Sequence, residues 1–205
     1  VYDANNINPL YGFFVARAGL GASESMRSKL AEYNDPRLSR AFITKQGTSG
    51  KEQAPGTADN AVYAPNGTPE QGTSKYGTSL FMYSISAPTL LLSYHELKFL
   101  EAEALCRLER DAKSALKDAV VAGLLNAENS FTISRKELGK TLINAASSIT
   151  EAEAESYFDN TIEAKYTAEP LKTTMTQKYF ALWGASGEAT ESYNDVRLSL
   201  IHISE

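Results

Sequence analysis

Residues 93–106, SYHELKFLEAEALC, decide the fold class of this chain. Ser93 followed three residues later by Glu96 fits a capping box, the pairing that satisfies free backbone N–H groups at a helix start. At about 100° per residue the helix carries apolar residues on two faces. The wider face holds Tyr94, Leu97, Leu100, Ala104, Leu105 and Leu108; the narrower one, roughly opposite, holds Phe99, Ala102 and Cys106. Glu96, Glu103 and Arg107 share the polar edge between them. Two apolar stripes place a helix between two neighbours, so a stack of helices is expected rather than one layer on a sheet. Glu101 is out of place, because it projects inside the wider stripe where an unpaired charge is costly. It is expected to be a buried structural acid at a helix junction, with Lys178 or Arg197 as partner, rather than a catalytic acid.

Downstream the helical signals continue. A second helix is expected from about Asp111 to Asn126, with Asp111 as cap, and the short turn before it makes an antiparallel hairpin. Ala112, Ala115, Ala119, Ala122 and Gly123 put small residues on one side of it, which lets a neighbour approach closely. Ser134 with Glu137 fits another capping box and predicts a short helix to about Ala146. Thr150 with Glu153 predicts a helix to about Tyr166, with Ala154, Tyr157, Phe158, Ile162 and Tyr166 spaced for burial. Glu169-Pro170 opens the next, with proline at the first helical position. Its stripe is Met175, Tyr179, Leu182 and Trp183, Gly184 to Gly187 ends it, and a last helix starts near Glu188.

Upstream the chain is irregular. Residues 1–22 are apolar and Gly-rich and read as a loop before a helix. The pair Gly19-Leu20-Gly21 lacks the third glycine and the preceding strand of a dinucleotide fingerprint. Ser23 to Tyr33 reads as a short helix with Met26, Leu30 and Tyr33 on one side, stopped by Asn34-Asp35-Pro36. Leu38 to Thr44 and Leu80 to Ile85 are strand candidates, the second closed by Pro88. Between them, residues 45–79 are rich in Gly, Pro, Thr and Ser, a composition of functional or disordered loops. Asn66-Gly67-Thr68 fits a glycosylation sequon but reads better as a turn. The fold class expected is therefore mainly α, with a loop-rich, short-stranded part at 1–88 and a helical part at 89–198.

Composition narrows the function. The chain has 205 residues, 42% hydrophobic and 22% charged, which is ordinary for a globular protein. A net charge of −5 with no run of five like charges argues weakly against nucleic acid or an anionic membrane as partner. A single cysteine, Cys106, permits no intrachain disulfide. No apolar stretch reaches the roughly 18 residues of a membrane-spanning helix. His95 falls on the narrow apolar face and His202 near the end, so no Ser–His–Asp set can be argued. Neither zinc-ligand spacing, a P-loop nor an EF-hand occurs, and no metal or cofactor is expected. Glu151, Glu153 and Glu155 point apart on a helix start, where they favour the helix dipole. The aromatics can build a stacking surface for sugar rings, but most sit at helix-burial spacing. Tyr63 and Tyr76 in the loop are less easily explained as core, and Tyr83 is ambiguous. With Asn66 at its turn, Tyr63, Tyr76 and Tyr83 form the expected ligand-binding set.

Several stretches together resemble the SusD/RagB family of outer-membrane nutrient-binding lipoproteins of Bacteroidetes. They are Asn8-Pro-Leu-Tyr; Ser25-Met to Leu30 with Asn34-Asp35-Pro36-Arg37-Leu38; the helix beginning at Ser93; Thr176-Gln177-Lys178-Tyr-Phe-Ala-Leu-Trp; and Glu191-Ser-Tyr-Asn-Asp195-Val-Arg197. They occur in family order and cover most of residues 5–198. The resemblance implies a superhelix of tetratricopeptide-like helix pairs beside a loop-rich part. It implies a non-enzymatic lipoprotein at the cell surface that captures an oligosaccharide or a peptide and delivers it to a SusC-like TonB-dependent transporter. It also implies that residues 1–198 are a partial domain without the N-terminal half, which would carry the lipid anchor and the first helical repeats. Such an array exposes the apolar face that the missing repeats would cover. The family continues differently after Arg197; LSLIHISE resembles a translated sequencing-adapter tail, so Ser199–Glu205 are expected to be non-native and to pack poorly. The alternative is a helical-repeat interaction scaffold with no ligand site in this stretch. An enzyme using Glu101 is the third reading.

Overall fold

A computed structural model describes residues 6–17, 21–43, 45–46, 51–52, 62–67, 76–138, 147–185 and 188–201. It is mainly helical and divides into two compact units, Val1–Pro88 with Leu125–Thr150, and Thr89–Leu124 with Glu151–Glu205.

The first unit opens on a helix where sequence suggested a loop. α1 spans Pro9–Arg17 and starts at Asn8, whose Oδ1 accepts from the Leu10 N–H at 2.9 Å. Asn8 is buried and tied to the chain ahead of the next unit, donating from Nδ2 to the Ala87 carbonyl and from its backbone to the Ile85 carbonyl. Tertiary anchoring of this kind stabilises a short helix that propensity alone leaves marginal. α2, Glu24–Glu32, begins at Ser23, whose hydroxyl accepts from the Met26 N–H; Met26 and Leu30 are buried. Asn34 ends it with φ of 49°, a left-handed conformation that asparagine tolerates. Beyond it the buried Arg37 guanidinium donates from Nε and Nη2 to both oxygens of the buried Asp35, at 2.8 and 2.7 Å.

Four two-residue strands follow, β1 (Phe42–Ile43), β2 (Lys45–Gln46), β3 (Lys51–Glu52) and β4 (Thr78–Ser79). β1 pairs antiparallel with β4, Phe42 opposite Ser79, and β2 pairs antiparallel with β3. The strand expected over Leu80 to Ile85 is instead a 3₁₀ turn, Leu80–Tyr83. Pairing stops at Ser79, whose Oγ accepts from the Phe81 N–H and turns the chain.

α3 spans Tyr94–Arg107 and α4 spans Lys113–Leu138. The helix boundary expected between Asn126 and Ser134 does not exist. Ser134 is buried inside α4, donating from Oγ to the Ser130 carbonyl one turn back and the Leu80 carbonyl. A serine in mid-helix can satisfy itself this way, so the S-x-x-E pattern there is not a cap. Phe131 meets Phe81 at 4.8 Å between centroids, which joins this end of α4 to the first unit.

In the second unit the helix expected over 150–166 is present as one continuous helical run, α5 (Glu151–Tyr157), a π-helical turn (Phe158–Ile162) and α6 (Glu163–Ala168), with Ala154, Tyr157, Phe158, Ile162 and Tyr166 all buried. α7 (Pro170–Leu182) has proline at its start, and α8 spans Glu191–Ile201. The small-residue side of α4 does admit a neighbour: a Cβ on Gly123 would lie 2.9 Å from the Ala181 Cβ of α7. α3 is not buried on both sides. His95, Phe99 and Ala102 are buried, whereas Tyr94, Leu97, Leu100 and Leu108 of the wider stripe face solvent. Glu101 is therefore no buried acid. Its side chain is 49% exposed and accepts from Lys98 Nζ at 2.9 Å, an ordinary pair one turn apart. Lys178 pairs with Glu103 and Asp195, and Arg197 lies over the Tyr193 ring. Of the tail, residues 202–205 and all side chains from Leu198 onward lie outside the described residues. Among those described, no helix is long and apolar enough to cross a membrane.

Candidate ligand-binding surface

The candidate surface is built on residues 62–67, which the backbone straps in place. The Ala64 N–H donates to the Ala22 carbonyl, and the Ala64 carbonyl accepts from Glu24. On the other side Gly77 donates to the Val62 carbonyl, while Ala22 donates to the Gly77 carbonyl. Gly21 makes this crossing possible: a Cβ there would stand 3.2 Å from the Tyr76 Cβ and 3.3 Å from that of Ala64. The strap ends in a turn at Asn66-Gly67, with Gly67 left-handed at φ 73°.

The four sequence-predicted residues separate here. Asn66 is exposed and held to the start of α2: its Oδ1 accepts from Ser23 Oγ at 3.1 Å, and its Nδ2 donates to Ser25 Oγ at 2.7 Å. One amide proton and one oxygen lone pair remain for other partners. Tyr63, three residues earlier, is half-buried. Its ring meets Phe42 edge-on at 5.2 Å, and the Arg27 guanidinium carbon lies 5.6 Å from its centroid. Tyr76 and Tyr83 are buried, at 6% and 8% exposure, the second edge-on to Phe14. Neither offers a ring face to a ligand; they are packing residues, and in this they depart from the expectation.

Arg27 is the residue that sequence reasoning missed. It sits on α2 with its Nε buried and without an acceptor. A buried N–H left unpaired is destabilising, and the guanidinium's contact with the Tyr63 ring offsets part of that cost. Nothing local announces it. Arg27 lies on the polar side of a short helix, and only the strap brings Tyr63 beside it. The chemistry assembled is a guanidinium over a tyrosine ring, an amide and two serine hydroxyls on one rim, suited to hydroxyl-bearing or carboxyl-bearing ligands. Among the described residues no group of three or more His, Cys, Asp or Glu could hold a metal ion.

A second cluster of titratable groups lies where α8 meets α3 and α7. It contains His95, Glu96, Glu103, Lys178, Glu188, Glu191 and Asp195. Burial first, and then the neighbouring Glu188, push the Glu96 carboxyl up to about 7.

Comparison with known proteins places these features in a family context. The family model described as SusD-like, starch-binding associating with outer membrane, matches residues 2–193. The crystal structure of a SusD/RagB family protein from Bacteroides thetaiotaomicron VPI-5482 superposes with a TM-score of 0.89 at 60% sequence identity. The match covers 96% of this chain and 42% of that one, so these residues span about two fifths of that relative's length. No curated protein matches.

Proposed function

This chain belongs to the SusD-like family, starch-binding associating with outer membrane, and from that premise we propose that it contributes to non-catalytic capture of an oligosaccharide at the outer membrane surface. In this reading the captured glycan passes to a SusC-like TonB-dependent transporter, and a peptide is the second ligand class. The family match over residues 2–193 is the observation that carries the proposal. The rim formed by Arg27, Tyr63 and Asn66 supports it: a hydrogen-bonded strap presents polar groups of complementary hydrogen-bonding type beside an aromatic ring.

Calorimetric titration of the 205-residue chain with malto-oligosaccharides tests the reading. Binding is expected, and Tyr63→Ala and Arg27→Gln should each weaken it about tenfold or more, in keeping with the loss of a stacking or charge-assisted contact. Tyr76→Phe should leave it unchanged, because that ring is buried. Binding that survives both rim variants would refute the assignment of these residues.

The alternative, an interaction scaffold whose ligand site lies elsewhere, has one observation in its favour. Tyr76 and Tyr83 are buried and Arg27 lies over the Tyr63 ring, so little aromatic face is free in this loop. Complete absence of glycan or peptide binding to the folded chain, alongside binding by a longer relative, would favour it.

A further inference from the structure

We propose that Asn66 is a self-modifying site, an amide that its own backbone converts to a carboxylate at a rate set by the hydroxyls of Ser23 and Ser25. Asn66 and Gly67 form the exposed turn that ends the strap. They are the one Asn-Gly pair in the chain. After every other asparagine the next residue carries a side chain that crowds its own backbone nitrogen, whereas glycine leaves that nitrogen open. The fold leaves it open too. A Cβ built at Gly67 would find nothing within 4 Å, and at φ 73° a side chain there would be strained.

The reaction brings Asn66 Cγ to the Gly67 nitrogen. That nitrogen gives its proton to hydroxide and bonds to Cγ, while the carbonyl π pair moves onto Oδ1. The C=O bond then re-forms, the Cγ–Nδ2 bond breaks, and Nδ2 leaves as ammonia with a proton taken from water. The product is a five-membered cyclic imide. Water adds to either imide carbonyl and breaks its bond to the Gly67 nitrogen, which recovers its proton. In sum, asparagine and water give ammonia and an aspartyl or isoaspartyl residue, with no change of oxidation state.

The start of α2 holds the amide back. Oδ1 accepts from Ser23 Oγ at 3.1 Å, and Nδ2 donates to Ser25 Oγ at 2.7 Å. Ser23 Oγ is itself fixed, because it accepts from the Met26 N–H as the cap of α2. Asn66 must leave both hydroxyls before its carbon can turn to Gly67. Each hydrogen bond contributes only modest net stability, so together they slow the reaction about ten- to hundredfold without stopping it. An aspartate at this position keeps the Ser23 donor and adds negative charge near the N-terminus of α2, where the helix dipole favours it. An isoaspartate lengthens the main chain by one carbon inside the turn. The chemistry needs no ligand and so stands apart from the binding reading above. On that reading, each conversion takes an amide donor from the rim and adds a charge to it.

Incubation of the 205-residue chain at pH 8 and 37 °C in water enriched in oxygen-18 tests the site, followed by digestion in ordinary water and peptide mapping by mass spectrometry. Heavy oxygen should enter the peptide that holds residue 66. It should stay out of the peptide holding Asn129, an Asn-Ser pair fixed inside α4. A synthetic peptide of residues 62–70 should convert about ten- to hundredfold faster than the folded chain. Ser25→Ala should speed the folded chain about three- to tenfold, since it removes one of the two bonds and leaves the α2 cap in place. Gly67→Ala should slow conversion in chain and peptide alike, and the peptide supplies that reading if the variant chain folds poorly. The proposal is overturned if residue 66 takes up no label over a period about a thousandfold longer than the peptide needs, well past the expected slowing. A Ser25→Ala rate equal to the parent's would overturn it as well.

Discussion

Placing one methyl group at Gly123 sets two effects of opposite sign against each other. Gly123 lies inside α4, where replacing glycine by alanine stabilises a helix by about 0.8–1 kcal/mol. The added Cβ, however, would come within 2.9 Å of the Ala181 Cβ. Carbon atoms make their best contact at about 3.5–4.0 Å, so the two helices must part or α7 must shift. Overpacking of this kind typically costs about 1–3 kcal/mol. Ala181 is flanked by buried Phe180 and Leu182, which leaves α7 little room to yield, so the upper half of that range applies. The net expectation for Gly123→Ala is a loss of about 1–2 kcal/mol, or a Tm lowered by roughly 2–8 °C for a chain of this size. Thermal unfolding followed by circular dichroism measures it. Ala181→Gly alone should also destabilise, by about 1 kcal/mol from helix propensity. Combined, the two changes should cost less than their sum by about 2–3 kcal/mol, the overpacking cost itself and the signature of a relieved contact. If Gly123→Ala raises Tm, helix propensity has won and the close crossing of α4 and α7 is wrong.

Three further outcomes follow from the packing. Ser134→Ala removes the hydroxyl that serves the Leu80 and Ser130 carbonyls and should lower the urea-unfolding free energy by about 1–2 kcal/mol. Asp35→Ala strips a buried arginine of its carboxylate and should cost about 3–5 kcal/mol in the same assay, enough to unfold a marginal domain. Glu101→Gln should change stability by less than about 0.5 kcal/mol, since the pair it forms with Lys98 is solvent-exposed; a large loss would restore the buried acid that the sequence pattern suggested.

Which features were legible follows from how local their causes are. The Ser93 cap was readable because it is a serine acting on an N–H three residues away. The proline at the start of α7 and the small-residue side of α4 were readable for the same kind of reason. The burial of α3 was not. Periodicity shows that a face is apolar and says nothing about what covers it, and the face with more leucines is the one in water. Ser134 and Glu137 have the spacing of a capping box, but the Leu80 carbonyl, distant in sequence, turns the serine into a buried donor. The loop tyrosines divided on the same principle. Tyr76 is packed away beside Gly21, and Tyr63 gained its neighbour Arg27 only through the strap. Arg27 could be found by three-dimensional proximity alone.

The water-facing side of α3 has a practical consequence for anyone handling this polypeptide. Tyr94, Leu97, Leu100 and Leu108, with Leu91 and Leu92 just ahead of them in the chain, hold hydrocarbon in contact with solvent. Sulfate strengthens the attraction between such surfaces. The 205-residue chain should therefore bind a phenyl column and salt out earlier than its charge of −5 would suggest. Leu97→Lys and Leu100→Glu should delay both, which would make the leucines of one helix the determinant of the chain's solubility.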